Sequence, residues 1–295
     1  MRYFILLFFS CKLLATALIH EDVWYDFADW VFSPEETFDP QEVKAGDVIV
    51  VKDLDSRLLE TLHEFEESIL PHITYPIILI SPRTDFSLPS SYTHLLDHPM
   101  IGAWFVQNID REETEKLHAL PIGFVSERYG CNHTLLNAYG DNASSYQQTK
   151  RKRLLYLNFA MTNPDRERCV RHFKNNFPSH RFSSKKPFPR YLRDIMQSIF
   201  VVSPPGNGED CHRTWEALLL GGYPIVKRSF LSPLFEGLPV IQISEWSEVT
   251  AELLRQKYRE LSNMEWSKEK LYAEYWFDKV KAIQQKMRLQ QAASE

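Results

Sequence analysis

Short apolar runs alternate with amphipathic stretches from Asp47 onward, and this alternation sets the expected architecture. Residues 47–51 are mostly β-branched and apolar, as in a strand buried on both faces. Residues 56–70 place Leu58, Leu59, Leu62, Phe65 and Ile69 on one side of a helix. Residues 77–80 predict a second strand, 92–96 a short helix and 103–106 a third strand. A polar turn or short helix at 111–117 then leads into 121–124. Strand–helix repetition of this kind predicts a parallel sheet, with ligand loops at the carboxyl ends of the strands: 52–55, 81–86 and 107–110. Ahead of it, the aromatic and acidic segment 23–40 reads as a lead-in that packs over the first domain.

Residues 129–152 are polar and end in the basic quartet Lys150 to Arg153, so they predict an interdomain boundary with the quartet as a solvated lead-in to a strand. A strand at 154–159, a turn at 160–164 and a helix at 165–175 follow. After them come a loop at 185–189, a helix at 191–198 and a buried strand at 199–202. Pro204 and Pro205 stop that strand, and Gly206-Asn207-Gly208 opens a tight loop. Asp210 stands where the N-cap of a helix over 211–220 is expected, and Gly221-Gly222 ends that helix. Residues 223–226 and 239–243 predict two more strands. Residues 248–263 and 268–290 predict amphipathic helices that wrap the domain, the last crossing back to the first. The expected units are 18–149 and 150–295, with no internal repeat.

At 295 residues the chain has room for one large domain or two small ones, and 44% apolar content is ordinary for a folded protein. A net charge of −5 argues against a nucleic-acid backbone as partner. Residues 1–17 depart from this picture. Arg2, an apolar stretch at 3–9 and Ala15-Thr16-Ala17 predict a secretory signal peptide cut after Ala17. Lys12 interrupts the apolar stretch, and a signal anchor is the alternative. The expected location is the secretory pathway: ER or Golgi lumen in a eukaryote, periplasm or exterior in a bacterium, with membrane attachment only through this segment. Cys11, Cys131, Cys169 and Cys211 form no C-x-x-C, so buried thiols are expected rather than zinc or a disulfide framework. Asn132-His-Thr134 and Asn142-Ala-Ser144 are glycosylation sequons, relevant only in a eukaryotic host.

Candidate chemistry centres on the glycine loop. Backbone N–H groups where a loop feeds a helix N-terminus attract anions. The helix dipole adds about 0.3–1 kcal/mol, a charge-assisted hydrogen bond about 1.5–3 kcal/mol, so Arg213 in the first turn would outweigh the dipole. Glu216 shares its helix face. A cation for a diphosphate and a carboxylate for a ribose hydroxyl suit a nucleotide; in isolation the two would read as a surface ion pair. Asn158, Thr162, Asn163 and Arg166, in the first βα turn, are candidates to face the same ligand, although Asn163-Pro164 alone reads as a helix-initiating turn. Lys227 ends a strand near the expected phosphates, and His212 would cap the helix or touch phosphate. Asp53-Leu-Asp55 has D-x-D metal spacing, more often a cap and a solvent charge. No Walker or G-x-G-x-x-G pattern is present.

Arg213-Thr-Trp-Glu216-Ala-Leu with Gly222-Tyr-Pro-Ile-Val resembles the R-x-x-E-A-L…G-x-x-P-V segment of exostosin-type glycosyltransferases. Ser203-Pro-Pro-Gly206-Asn-Gly208-Glu-Asp210-Cys-His212-Arg213 is similar to the exostosin-like group that includes the C-terminal part of ribitol xylosyltransferase. The weaker similarity runs from about Asp47 to Trp246. It implies an α/β GT-B fold, two Rossmann-like domains with parallel sheets facing across a cleft. It also implies inverting transfer from a nucleoside-diphosphate sugar, a UDP-sugar favoured, to a hydroxyl of a glycan or glycoconjugate, with no metal and no cofactor beyond the sugar nucleotide as co-substrate. Donor contacts fall on Asn158, Asn163, Arg166, Ser203, Gly206, Asn207, Gly208, Asp210, His212, Arg213, Glu216 and Lys227. Arg213 would neutralise the leaving diphosphate, and Asp85, after the 77–80 strand, would deprotonate the acceptor. The alternative is a decayed transferase fold that binds carbohydrate or nucleotide without turnover.

Overall fold

The computed structural model describes residues 17–52, 57–85, 87–88, 92–143 and 151–293. The signal segment before Ala17, the D-x-D pair Asp53 and Asp55, and positions 144–150 of the expected boundary lie outside the described residues.

The first half contains α1 (Asp22–Phe27), β1 (Trp30–Phe32), β2 (Val48–Val51), α2 (Leu58–Ser68), β3 (Ile77–Ser81), α3 (Thr93–Asp97), β4 (Ile101–Gln107), β5 (Leu117–Leu120) and α4 (His133–Ala143). Its strands form one parallel sheet in the order β1-β2-β3-β4-β5. The central strands β2 and β3 are buried at every position, as their unbroken apolar runs predict. The edge strands β1 and β5 were not expected as strands. Each is short, with Trp30 and Val31 in β1 and His118 in β5 only partly buried, so no long apolar run marks either.

The second half contains β6 (Arg153–Asn158), α5 (Pro164–Asn176), β7 (Phe182–Ser183), α6 (Phe188–Met196), β8 (Ser198–Val202), α7 (His212–Leu219), β9 (Tyr223–Lys227), β10 (Ile241–Ile243), α8 (Ala251–Leu261) and α9 (Ala273–Ala292). Its parallel sheet runs β7-β6-β8-β9-β10. The order therefore reverses between β6 and β8. Two parallel five-stranded sheets with flanking helices are the GT-B-like α/β arrangement expected.

The two halves are joined by packing as well as by sequence. α9 returns to the first sheet, as expected: Gln284 Nε2 donates to the Gly46 carbonyl at 2.9 Å, and Arg288 pairs with Asp47 at 3.1 Å. α4 was not expected. It buries Leu136 together with Gly140 and Ala143, two small residues that hide the helical period, and a Cβ at Gly140 would lie 2.9 Å from Leu219 Cγ. Arg151 is not a solvated lead-in: its guanidinium donates to the Leu220 carbonyl at 2.8 Å and to the Ile195 carbonyl at 3.3 Å, covering the carboxyl ends of α7 and α6.

Candidate active site

The carboxyl ends of β6 and β8, where the strand order reverses, open into a cavity of about 600 Å³. Ligands in open α/β sheets bind at such reversals because the flanking loops diverge there. Asn158, Phe159, Gly206, Arg213 and Glu216 line it from the second half, and Asp85 from the first.

The loop after β8 is held in place from below by α5. Arg166, 6% exposed, donates through Nε to the Pro205 carbonyl at 2.7 Å and through Nη1 to the Ala160 carbonyl at 2.6 Å. Asn163 caps α5 through Oδ1 and donates from Nδ2 to the Gly206 carbonyl at 2.8 Å. Asn163 thus does what a helix-initiating turn requires and also ties that turn to the loop; it does not line the cavity. Arg166 lines the cavity, but its guanidinium is occupied with shaping the loop, a role the sequence reading did not give it.

Arg213 projects from the first turn of α7. Its Nε donates to the Asn158 carbonyl at 2.9 Å and its Nη1 to Ser203 Oγ at 3.3 Å. The Arg213 and Arg166 guanidinium carbons lie 5.3 and 5.6 Å from the centre of the Phe159 ring. Neither guanidinium has a carboxylate partner in an ion pair among the described residues. Glu216 is 4% exposed, and one of its oxygens accepts from the Tyr191 hydroxyl. Burial pushes the Glu216 carboxyl up, while the Tyr191 hydrogen bond and the charge of Arg213 pull it down. The surface-ion-pair reading fails on both counts: Glu216 is buried and does not pair with Arg213. Two like charges held without counter-ions at a cavity wall favour an anionic ligand.

Two other expected donor contacts, Lys227 and Ser203, fall outside the cavity lining. Lys227 sits between Asp165 and Glu245, 3.5 Å from each, and does not line the cavity. Its strand end was read correctly, but the carboxylates that neutralise it come from distant segments. Ser203 lies behind the cavity, its hydroxyl 2.9 Å from that of Thr214. The N-cap of α7 is Cys211, not Asp210. The buried Asp210 carboxylate instead accepts from the Ile122 amide at 2.9 Å, Trp215 Nε1 at 2.7 Å and the Cys211 amide at 2.7 Å. Burial pushes this carboxyl up to about 6 against those three donors. The Gly206 amide donates within the loop, to the Gly208 carbonyl at 2.8 Å. The amides of His212 and Arg213, at the start of α7, have no acceptor among the described residues. Cys131, Cys169 and Cys211 are buried free thiols, as expected.

The first half reaches this loop through residues that sequence reasoning did not single out. Asn108, fully buried at the end of β4, has φ 58°. Its Oδ1 accepts from the Glu209 and Asp210 amides at 3.1 and 3.2 Å, and its Nδ2 donates to the Thr84 carbonyl at 2.6 Å. A Cβ at Gly208 would stand 2.3 Å from Asn108 Nδ2, so this close approach, not φ, requires glycine. The 107–110 loop was marked as a ligand loop, and asparagine is among the few residues that adopt positive φ readily. That signal was available. Tyr191, the partner of Glu216, left none.

A second cavity of about 600 Å³ adjoins the first and shares Asp85, Ile122, Val125, Tyr129, Asn207 and His212 with it. Asp85 is exposed and accepts from Asn207 Nδ2 at 3.2 Å. His212 Nδ1 lies 2.9 Å from the Gly123 carbonyl. Burial lowers the His212 pKa, the Gly123 hydrogen bond and Asp85 oppose this, and Arg213 reinforces it. Unlike the first cavity, the second has a neutralised cation in its wall: Arg83 pairs with Glu21 at 3.1 Å, and Arg128, outside the lining, pairs with Glu21 at 2.6 Å and Asp22 at 3.4 Å.

No protein-family model matches the chain, and no curated protein matches it. Solved structures with some likeness include three of Anabaena HepE (Alr3699). The complex with UDP and glucose has a TM-score of 0.42 and 13% identity over 83% of this chain and 77% of that one. The UDP-glucose complex has a TM-score of 0.41 and 10% identity over 83% and 78%. The UDP complex has a TM-score of 0.40 and 10% identity over 84% and 79%. Scores of this size assign no family, and the architecture stands on its own strands.

Proposed function

We propose that the chain is a glycosyltransferase that moves a sugar from a nucleoside-diphosphate donor to a hydroxyl of a glycan or glycoconjugate. The observation that carries this reading is the pair of guanidiniums, Arg166 and Arg213, flanking Phe159 at the strand-order reversal without a carboxylate partner among the described residues. The buried Glu216 one turn along α7 supports a ribose contact beside them.

As the donor C1 parts from its phosphate, negative charge grows on the leaving group. Arg213, the field of Arg166 and the first amides of α7 would stabilise it, the part a divalent ion plays in other transferases. The acceptor would enter from the first half, opposite the leaving group, which gives inversion at C1. Asp85 and His212 face that side.

A UDP-sugar is the first donor to test. Calorimetric titration with UDP, GDP and CMP should find one nucleotide that binds, and its sugar conjugate should be hydrolysed slowly without acceptor. Binding of a nucleotide with no turnover of any conjugate would make the chain a binding module instead. Export is a further part of this reading, and the mature N-terminus, expected after Ala17, tests it by sequencing.

A further inference from the structure

His212 stands in the wall common to the two cavities. Its Nδ1 faces the Gly123 carbonyl at 2.9 Å. A carbonyl oxygen can only accept, so Nδ1 carries the proton and Nε2 carries the lone pair. Nε2 has no partner among the described residues and is not one of the buried unpartnered side-chain atoms. It therefore opens into the trough that the cavities form. Arg213, the next residue, turns the other way, to the Asn158 carbonyl.

The groups around the imidazole come from several elements. Asp85 follows β3, Tyr129 lies across the second cavity with the Arg83–Glu21 pair, and Asp210 is bonded to Ile122 and Trp215. Asp85 opposes the effect of burial on the imidazole, while Arg213 reinforces it. An imidazole kept neutral by burial, with a carboxylate near enough to favour its protonated form once made, can take a proton and release it again.

We infer that His212 Nε2 is the base that removes the proton from the acceptor hydroxyl, an assignment that rests on the transferase reading above. The acceptor oxygen forms its bond to C1 of the donor sugar as its proton passes to Nε2. The bond from C1 to the phosphate oxygen breaks, and its electron pair stays on the diphosphate beside Arg213. The imidazolium then returns its proton to solvent. Asp85, the base expected from sequence, keeps the part of a carboxylate that favours the imidazolium.

His212→Asn tests this, because an amide can still donate to the Gly123 carbonyl but cannot take the proton. The unaltered protein is assayed first for UDP binding and for turnover of the donor that binds. Absence of turnover there overturns the transferase reading and this inference with it. With turnover established, H212N should lose about 100-fold or more in kcat while its UDP affinity changes less than about twofold. It should also lose the acid-side limb of the pH profile, and added imidazole should restore part of the rate to His212→Ala. H212N that keeps more than about a tenth of kcat, or that loses UDP affinity in step with kcat, overturns the assignment. So does an acid limb that survives in H212N and disappears in Asp85→Asn.

Discussion

The two sheets have the same number of strands, all parallel, yet only the second reverses its strand order. In the first, each strand lies beside its predecessor, so its carboxyl-end loops run alongside one another. In the second, β7 and β8 lie on opposite sides of β6, and the loops after β6 and β8 part to leave a crevice. The charges follow the same division. Arg83 and Arg128, on the first-sheet side, are neutralised by Glu21 and Asp22, whereas among the described residues Arg166 and Arg213 are bonded only to uncharged groups. Strand direction alone makes no binding site. The reversal makes the space, and cations without a carboxylate partner among the described residues favour an anion in it.

The largest expected effect is on the support of that crevice. Arg166→Ala would leave the Pro205 and Ala160 carbonyls without their charged donor, and at about 1.5–3 kcal/mol for each such bond it should lower stability by roughly 3 kcal/mol or more. Urea denaturation measures this, and a loss under about 1 kcal/mol would mean that the loop holds itself. Arg213→Ala should weaken UDP binding about 10- to 100-fold through its lost charged hydrogen bonds, while Arg83→Ala, on the neutralised side, should change it less than about 3-fold. Equal losses in a calorimetric titration would erase the contrast between the halves. Gly208→Ala places a methyl group against Asn108 and should cost about 1–3 kcal/mol, part of it recovered when Asn108→Ala is added.

Asp210 gives the most gradual effect. Its carboxyl titrates at about 6 in the folded chain against an ordinary 3.8, so the folded state holds the proton more tightly than the unfolded one. The stability it contributes is complete below the ordinary value and is lost as pH rises through 6. The slope attributable to this group should not exceed about 1.4 kcal/mol per pH unit, and Asp210→Asn should flatten it in melting curves taken across that range.

The long apolar strands β2, β3, β4, β6, β8 and β9 were legible because burial on both faces leaves an unbroken run of residues. The loop after β8, Arg213 and Glu216 were legible because glycines, a helix start and two charges fall within a few positions of one another. β1, β5, β7 and α4 were not: three are short edge or near-edge strands, and the fourth packs through small residues. Side-chain roles set by distant partners were also hidden. Lys227 looked free until Asp165 and Glu245 closed on it, and Arg151 looked solvated until two helix ends met its guanidinium. Asn108 shows the intermediate case, a residue whose loop was flagged but whose partner lies 101 residues further along the chain.

The segment from Asn207 to His212 meets Asp85, Asn108, Ile122 and Gly123, and its neighbour Arg213 lines the first cavity. One piece of backbone therefore carries both the contacts between the halves and a wall of the first cavity. A rotation of one half against the other would shift that wall, and a shift of the wall would strain those contacts.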